Sequence, residues 1–557
     1  MLFHRPRDWF LALILDYVPA TRAFTLTVQR SEGVDIQKVI EEHGFDLSLP
    51  ASTAGYAVLF TKEPYAAASF GPVATARARG ELHGILSEIE ASWKAESGAH
   101  IRVPADKELW GFQKAGVEYA LRRRHTLLGD QPGLGKTPTA IAYCNETAAE
   151  RILVICPASI RLQWVKRIRE WTTMRWPYVV HPILHGRHGV HPRAQWTVVS
   201  YELARQPAIG KALEALGGFD VLILDEAHYL KTIDSRRTRA VFGGGHDRQF
   251  ASIASGSRNI LALTGTPLPN RPREAYTLAR GLCFDAIDWA SEDSFRERFN
   301  PSMRREHVDP RTGETRIFID ERSGRHSELQ NRLRANLMVR HLKRDVMPQL
   351  KMPSYDIIQL EETQAVKQAL KAESLLDIDP EDLSGADVEI LGHVATVRKE
   401  MGIALAPQVA DYIEMLLAGG EEKLVLFAWH IEVMNILEER LARHGLIRID
   451  GSTSAVKKER LVGLFQSNPH CRIALGNILS MGTGTDGLQA VCNHGLIAEP
   501  DWTPGNNIQA FDRLDRGGQT RAVQGDIFVA PGSFAERVLA SALRKLATTH
   551  KALDARV

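Results

Sequence analysis

The sequence has few cysteines and no long apolar run. Its 557 residues include 5 cysteines, none in a Cys-x-x-Cys pair. An odd number of scattered cysteines argues against a disulfide framework or a zinc site, and it indicates a reducing compartment. The apolar run at residues 9–15 is too short to cross a membrane, and Asp16 interrupts it. No signal-type cleavage site follows, so the sequence predicts a cytoplasmic protein with no membrane partner.

A large net charge is also lacking. The formal charge is +2, which excludes the strongly basic composition of many nucleic-acid-binding proteins. Residues 296–351 are the exception, with 14 Lys/Arg against 8 Asp/Glu. A basic segment within a near-neutral chain is typical of a surface for a polyanion, but equally of a solvated charged face. Charge alone leaves both interpretations open.

The length exceeds what one hydrophobic core supports, so we expect two or three domains. Residues 1–100 have the pattern of a small α+β domain, with strands at 23–29 and 55–60. In residues 101–270 short apolar strands alternate with amphipathic helices, the pattern of a doubly wound parallel sheet. The active site of such a sheet lies at the carboxyl ends of its strands.

The second half repeats this pattern after an interruption. Residues 271–355 are polar and basic, and we interpret them as an insertion or bridge with a hairpin turn at 309–313. A second α/β lobe of five apolar strands is predicted for residues 356–557. The expected fold class is therefore α/β, with two parallel-sheet lobes, a small N-terminal domain and a basic insertion.

Residues 130–137, DQPGLGKT, are typical of a phosphate-binding loop ahead of a helix. Lys136 would reach the β- and γ-phosphates of ATP, and Thr137 would ligate Mg²⁺. The strict pattern has glycine where Asp130 stands. The residues that keep the pattern are Gly133, Leu134, Gly135, Lys136 and Thr137.

Residues 221–228, VLILDEAH, end an apolar strand in adjacent carboxylates. Asp225 would hold Mg²⁺, and Glu226 would orient and deprotonate the attacking water. A helix-capping acid at a strand end is the alternative. The position about 90 residues after the phosphate loop, with further strands between, favours the catalytic interpretation.

Two arginines near the C-terminus lie in QAFDRLDRGGQ. Arginine offers a fixed fork of donors to a transferring phosphoryl group. The spacing of Gln509, Arg513 and Arg516 predicts one shared helical face. Taken alone, this string fits an ordinary basic surface helix.

Together these motifs resemble the Swi/Snf-type ATPases, translocases of double-stranded DNA within helicase superfamily 2, across about residues 107–535. The resemblance implies RecA-like lobes and an adenine-reading Gln113 in residues 109–121. It implies that residues 156–171 lie on a DNA strand, and that residues 263–270, LTGTPLPN, couple hydrolysis to DNA contact. The coupling and DNA-contacting residues implied are His228, Thr264, Thr266, Arg340, Lys343 and Arg344.

Residues 425–430 and 449–454 match motifs that face the DNA backbone, and residues 481–489 and 499–519 match two further motifs of the second lobe. HLKRDVMPQLKMP, residues 341–353, closely resembles a motif of the family, and together with residues 397–433 it is most similar to the annealing-helicase branch. Members of that branch rewind DNA and remodel forks.

The chain departs from the family pattern at two places. Gln131 and Pro132 replace an acidic residue and methionine, while Asp515 and Gly517 replace histidine and isoleucine. No phosphate ligand or arginine finger is lost, so the resemblance implies an active ATPase with ATP and Mg²⁺ as cofactors.

The sequence thus predicts a monomeric ATP-driven motor on double-stranded or forked DNA, in a bacterial or viral setting. The alternatives are a strand-separating helicase, a restriction-system motor, and a nucleotide-dependent DNA clamp without productive hydrolysis. The histidines at 181, 185, 188 and 191 have spacings that could suit a metal, but we favour an exposed loop between strands.

Overall fold

A computed structural model describes residues 13–29, 36–43, 45–48, 51–53, 55–175, 178–243, 252–265, 267, 274–287, 291–308, 315–321, 325–347, 353–374, 388–482, 485–501 and 504–540. The chain forms two compact units. Among the described residues, unit 1 contains those within 13–94 and 282–339, and unit 2 contains those within 95–281 and 340–540. This division differs from the expected one, because most of the insertion belongs to the same unit as the N-terminal segment.

Unit 1 is built on an antiparallel sheet, as the period-two alternation of its strands predicts. The sheet order is Leu13–Val18, Ala23–Gln29, Tyr56–Thr61 and Asp46–Leu47. A separate antiparallel hairpin pairs Ser302–Val308 with Thr315–Glu321; its turn lies outside the described residues. The helices are Ile36–His43, Pro64–Ala68, Ala76–Trp93, Glu292–Phe299 and His326–Asn336.

Side-chain contacts explain why the insertion joins the N-terminal segment. The Arg334 guanidinium lies over the Trp93 ring, 3.2 Å from its centroid, and Arg334 Nη1 donates to the Ser92 carbonyl at 3.2 Å. Arg298, which also makes a two-pronged ion pair with Glu328 of the insertion, donates from Nη1 to Asp46 Oδ2 of the N-terminal segment at 3.1 Å. Because these charges are buried or half-buried and paired, the two segments form one unit.

The first lobe of unit 2 has a parallel sheet, as predicted. Within this unit its strands run in the order His125–Leu128, Ser257–Leu263, Phe219–Asp225, Ile152–Cys156, Trp196–Ser200 and Val180–Pro182. Its helices are Gly111–Leu121, Lys136–Glu146, Arg161–Trp171, Tyr201–Ala204, Pro207–Glu214, Arg236–Phe242 and Ala275–Leu282.

The second lobe has a six-stranded parallel sheet. Its order is Ser354–Gln359, Gln524–Val529, His494–Ile497, Leu424–Ala428, Ile473–Asn477 and Leu446–Ile449. The edge strand Ser354–Gln359 escapes the sequence analysis, because its largely exposed side chains give no apolar run. The helices are Gln364–Ser374, Val388–Ala418, Ile431–Leu441, Ala455–Ser467, Ile478–Gly482 and Pro504–Phe511. A short helix, Lys343–Val346, precedes the edge strand and begins beside the phosphate loop of the first lobe.

One helix stretch, Gly392–Ala418, is long and apolar enough to cross a membrane by composition alone. Its side chains at Val409, Ile413 and Leu417 lie in the hydrophobic core of the second lobe. The helix therefore contributes to the core that supports the parallel sheet.

Candidate nucleotide-hydrolysis site

The phosphate-binding loop follows strand His125–Leu128 and leads into helix Lys136–Glu146. Gly135 is left-handed, with φ 75°. A Cβ there would lie 2.4 Å from Gln113 Nε2, so both the backbone and the space require glycine. Lys136 Nζ donates to the carbonyl of Asp130 at 2.6 Å and of Gln131 at 3.3 Å. The loop is thus wrapped around a buried ammonium group.

Gln113, the expected adenine reader, is buried beside this loop. Its Nε2 donates to the Leu134 carbonyl at 3.0 Å, and its Oε1 accepts from Trp110 N at 2.9 Å. Helix Gly111–Leu121 is thereby fixed to the phosphate loop. Gln113 and the exposed Trp110 ring both line the adjacent cavity.

Asp130 occupies the position where the strict loop pattern has glycine. Its carboxylate is buried and accepts from His341 N at 2.9 Å and from His341 Nδ1 at 2.8 Å. Although burial acts to raise its pKa, the contacts with His341 and the charge of Lys136 leave that pKa lowered. Asp130 therefore joins the loop to the segment that begins at Arg340.

The acidic pair lies at the carboxyl end of strand Phe219–Asp225, as predicted. Asp225 Oδ2 accepts from Trp164 Nε1 at 2.7 Å, and Tyr201 Oη donates to the Asp225 carbonyl at 2.9 Å. Burial, and then the neighbouring charge of Glu226, raises the Asp225 pKa. Trp164 was not singled out from the sequence, although it lies within a quoted family motif.

Glu226 has an unusual backbone, with φ 51°. For a residue with a Cβ this conformation is strained, and such strain concentrates at functional positions. Burial acts to raise the Glu226 pKa, but contact with His228 and the charges of Lys136 and Arg513 leave it lowered. The carboxylate is therefore ionised at neutral pH and able to accept a proton.

His228 connects this acid to the strand that carries the coupling motif. Its Nδ1 lies 3.3 Å from Glu226 Oε2 and 3.1 Å from Thr264 Oγ1. His228 and Thr264 were both expected among the coupling and DNA-contacting residues, and the structure brings them into contact. Thr266, the other threonine of that motif, lies outside the described residues.

The second lobe contributes Gln509, Arg513 and Arg516, but not from one helical face. Helix Pro504–Phe511 ends before the arginines, and Leu514 N donates to the Phe511 carbonyl at 2.9 Å in a tighter turn. Arg513 is buried and donates to the Gly482 carbonyl at 2.6 Å. Burial, followed by the charge of Arg516, lowers its pKa to about 9, so it stays protonated at neutral pH.

Asp486 is a charged residue of this site that the sequence analysis did not identify. It faces two arginines: Arg167 Nη2 lies 2.8 Å from its Oδ2, and Arg516 Nη1 lies 3.4 Å from its Oδ1. Because Arg167 belongs to the first lobe and Arg516 to the second, one carboxylate bridges the lobes. No sequence spacing could reveal this contact, since the partners lie about 320 and 30 residues away.

A cavity of about 450 Å³ collects these groups. Its lining from the first lobe includes Gln113, Gly133, Leu134, Gly135, Lys136, Thr137, Trp164, Arg167, Asp225 and Glu226. Its lining from the second lobe includes Asp486, Gln509, Arg513 and Arg516. The candidate phosphate, metal, base and arginine-finger residues therefore meet in one cavity within unit 2.

The three basic residues expected to contact DNA, Arg340, Lys343 and Arg344, differ in the exposure of their side chains. Arg340 is buried, and its Nη1 donates to the carbonyls of Gly129 at 2.5 Å and Gly265 at 3.1 Å. Lys343 is also largely enclosed, whereas the Arg344 side chain is 56% exposed. Of these three, Arg344 is the one with a side chain open to a DNA strand in this arrangement.

Of the four histidines, His185 and His191 are exposed in a loop, as favoured, whereas His181 lies in strand Val180–Pro182 and, like His188, is half-buried. His181 Nε2 bonds the Gly189 carbonyl at 2.8 Å, and the Leu184 amide donates to His188 Nδ1 at 3.3 Å. Among the residues that the structure describes, no group of three or more His, Cys, Asp or Glu could hold a metal ion.

The family described as "SNF2-related domain" matches residues 112–397, just over half of the chain. The chain belongs to the SNF2-related domain family. The predicted family is therefore confirmed, and with it the ATPase class of enzyme and the use of a nucleotide. The two parallel-sheet lobes with a small antiparallel N-terminal sheet confirm the predicted fold class.

Curated relatives support the branch named from the sequence. The chain is 30% identical over 459 residues to the DNA annealing helicase and endonuclease ZRANB3 of Mus musculus, covering 81% of this chain and 41% of the relative. It is 29% identical to a SWI/SNF-related matrix-associated actin-dependent regulator of chromatin, subfamily A-like protein 1, of Xenopus tropicalis, covering 76% and 43%. The chain spans about two fifths of the length of these relatives.

The Sulfolobus solfataricus SWI2/SNF2 ATPase core in complex with dsDNA aligns with 84% of this chain and 100% of its own. The identity is 17% and the TM-score is 0.36, a likeness too distant to carry an argument about geometry.

The expected bacterial or viral cytoplasmic setting is wrong by these comparisons. The relatives named above are animal proteins, and their names refer to DNA annealing and to chromatin. Cysteine usage indicates a reducing compartment, and it cannot distinguish cytoplasm from nucleus.

Proposed function

We propose that the chain is a monomeric ATP-driven motor that moves along double-stranded or branched DNA. One observation carries the proposal: a single cavity is lined by a phosphate loop, an acidic pair and two arginines, with the arginines supplied by the second lobe. Opening and closing of the cleft would then be coupled to ATP hydrolysis. Because one chain supplies both halves, no second subunit is needed to complete the site.

The residues of the cavity fit Mg·ATP. The backbone of the loop from Gly133 to Thr137 would cradle the phosphates, with Lys136 beside them. The oxygens of Thr137 and Asp225 are the hard donors that Mg²⁺ prefers. When bound, Mg²⁺ would neutralise phosphate charge and would favour the ionised form of Asp225, whose pKa is raised by burial and by the charge of Glu226.

Hydrolysis needs a proton acceptor and a stabiliser of transition-state charge. Glu226 Oε2 is buried without a directed hydrogen bond, because His228 Nδ1 lies 3.3 Å away in contact with Thr264. That oxygen would accept a proton from the attacking water. Arg513 and Arg516 would stabilise negative charge on the transferring phosphoryl group.

The DNA substrate is inferred from the relatives. The names of the relatives refer to DNA annealing and to chromatin, both of which involve duplex DNA. A motor that must ignore sequence should contact backbone phosphates and not base edges. We therefore assign the chain to rewinding or remodelling of duplexes and forks.

ATP turnover measured without DNA, with single-stranded DNA, with duplex and with a fork tests the proposal. Duplex or forked DNA should stimulate turnover more than a matched single strand. Stimulation should fall steeply as salt rises, because each phosphate contact releases counterions. Equal turnover in all four conditions would contradict a DNA motor.

A second assay separates the proposal from its alternatives. The motor should rewind a bubble held open by single-strand-binding protein and should not displace a strand from a duplex. Strand displacement stimulated by single strands alone would favour a conventional helicase. ATP-dependent DNA retention without turnover would favour a clamp, which the ionised Glu226 and the two arginines argue against.

A further inference from the structure

The segment that begins at Arg340 lies beside the phosphate-binding loop and makes several hydrogen bonds to it. His341 holds Asp130, as described above, and the Gln131 amide donates to the His341 carbonyl at 3.1 Å. The Lys343 amide then donates to Gln131 Oε1 at 2.7 Å. The backbone of Lys343 is thus fixed to the first lobe at the start of the phosphate loop.

The side chain of the same lysine reaches the second lobe. Lys343 Nζ donates to Asp512 Oδ1 at 2.8 Å, to Asp515 Oδ2 at 2.6 Å and to the Asp515 carbonyl at 2.6 Å. These two aspartates alternate with the arginines at 513 and 516. An ammonium with three acceptors at such distances is fully satisfied.

The surroundings of this ion pair are tight and largely dry. Only 12% of the Lys343 side chain is exposed, against 8% for Asp512 and 7% for Asp515. Burial acts to lower the Lys343 pKa, but the two carboxylates leave it raised, so the charge persists. A Cβ on Gly133 would lie 2.9 Å from the Asp515 carbonyl and 3.3 Å from Lys343 Cε. The phosphate loop and the arginine turn therefore pack directly against each other here.

Of the three side chains that hold Lys343, two stand at departures from the family pattern and one, Asp512, does not. Gln131 binds its backbone, and Asp515, at a position where the family usually has histidine, binds its ammonium. A histidine could not supply a second negative charge to this ammonium. The two departures, which are about 380 residues apart in the sequence, thus meet at one lysine.

We infer that Lys343 is a positioning residue that holds the turn carrying Arg513 and Arg516 against the phosphate loop through Asp512 and Asp515. The inference rests on the proposed ATPase function and deepens it. Lys136 lines the cavity, whereas Lys343 is not among its lining residues. It sets where the arginines stand when the transition state forms, and correct placement of this kind contributes strongly to rate.

The test is a double-mutant cycle of Lys343→Met and Asp515→Asn on the full chain. Lys343→Met should lower DNA-stimulated kcat about ten-fold or more while the ATP KM stays within about three-fold, because the arginines act on transition-state charge. Asp515→Asn should lower kcat less. The double variant should resemble Lys343→Met alone, because coupled residues are not additive. Lys367→Met, at an exposed lysine of the second lobe, is the matched control and should be neutral.

Several results would overturn the inference. These are an unchanged kcat in Lys343→Met, additive effects in the double variant, or an equal loss of ATP affinity that marks a purely structural role. If Lys343→Met does not fold, Asp515→Asn carries the test, because it keeps the shape and removes only the charge.

A measurement that needs no turnover separates this inference from the proposed function. Hydrogen exchange should speed up together in residues 130–135 and 511–517 of Lys343→Met, and exchange in 511–517 at the wild-type rate would reject the inference. An inactive wild type with the expected exchange would reject only the motor.

Discussion

The two halves of the hydrolysis site are supported in different ways. In the first lobe, Lys136 and Asp225 take their partners from their own lobe: loop carbonyls for the lysine, and Trp164 and Tyr201 for the aspartate. In the second lobe, Arg513 is held by the Gly482 carbonyl of its own lobe, whereas Arg516 shares Asp486 with Arg167 of the first lobe. The first half is therefore set by its own fold, whereas Arg516 in the second half also depends on contact between the lobes.

This difference is what a motor would require of such a site. Groups that bind nucleotide must be in place before the cleft closes, and groups that complete the transition state must arrive with closure. Buried hydrogen bonds within one lobe suit the first task. The half-exposed Arg167–Asp486 pair suits the second, since such pairs are weak enough to break. The buried pairs of Lys343 with Asp512 and Asp515 instead keep the arginine turn beside the phosphate loop.

The largest effects on nucleotide binding and turnover are expected when the first-lobe groups are removed. Lys136→Ala should abolish nucleotide binding. Glu226→Gln should keep binding but lower turnover by about 10²–10⁴, because its shape remains while the proton acceptor is lost. Binding of a fluorescent ATP analogue and steady-state turnover measure the two effects. Glu214→Gln, at an exposed acid of the same lobe, is the control. Near-normal turnover in Glu226→Gln would remove it as the base.

Removing the second-lobe arginines should affect turnover without affecting binding. Arg516→Ala should lower turnover by about 10³ and leave ATP affinity within a few-fold, because the finger acts on transition-state charge. Arg513→Ala should be similar or milder. The exposed Arg460 provides the control as Arg460→Ala. If both variants hydrolyse ATP normally on duplex DNA, the second lobe does not complete the site.

Local pattern predicted much of this arrangement. Apolar strands ending in polar residues located the acidic pair, and the Gly-x-Gly-Lys-Thr string located the phosphate loop, because both signals lie within a few residues. The strand at 23–29 could be predicted from alternating apolar and polar residues, and the strand at 424–428 from a run of buried apolar residues. The family of the chain likewise followed from ordered motifs.

Long-range contacts could not be predicted in this way. Trp164 and Asp486 act through partners that only the folded chain brings near. A basic run also does not reveal which of its charges are buried: Arg340 and Lys343 are enclosed because distant carbonyls and carboxylates surround them. The prediction that Gln509 and the two arginines share one helical face is wrong, because the helix ends at Phe511.

A smaller effect is expected from the support of the first-lobe aspartate. Trp164→Phe keeps the ring volume nearly constant but removes the donor to Asp225. Turnover should fall about ten-fold and the Mg²⁺ concentration for half-activation should rise, because a metal ligand loses the bond that orients it. Trp196→Phe is the matched control, since Trp196 Nε1 contacts Met174 Sδ at 3.2 Å and not the site. Equal effects of the two substitutions would reduce Trp164 to a packing role.

The smallest effect should come from the carboxylate that bridges the lobes. Asp486→Asn keeps the side-chain shape and removes a negative charge from a cavity meant for a polyanion, so ATP should bind about three- to ten-fold more tightly. The gain should shrink as salt rises, since Asp486 is partly exposed. Turnover without DNA should rise as well, because Arg516 is no longer held at 3.4 Å from this acid. Titration of a fluorescent ATP analogue, with the exposed Asp234→Asn as control, measures the change. Unchanged or weaker ATP binding would mean that Asp486 stabilises the closed cleft more than it repels the nucleotide. The two halves of the site would then differ less in how they are supported.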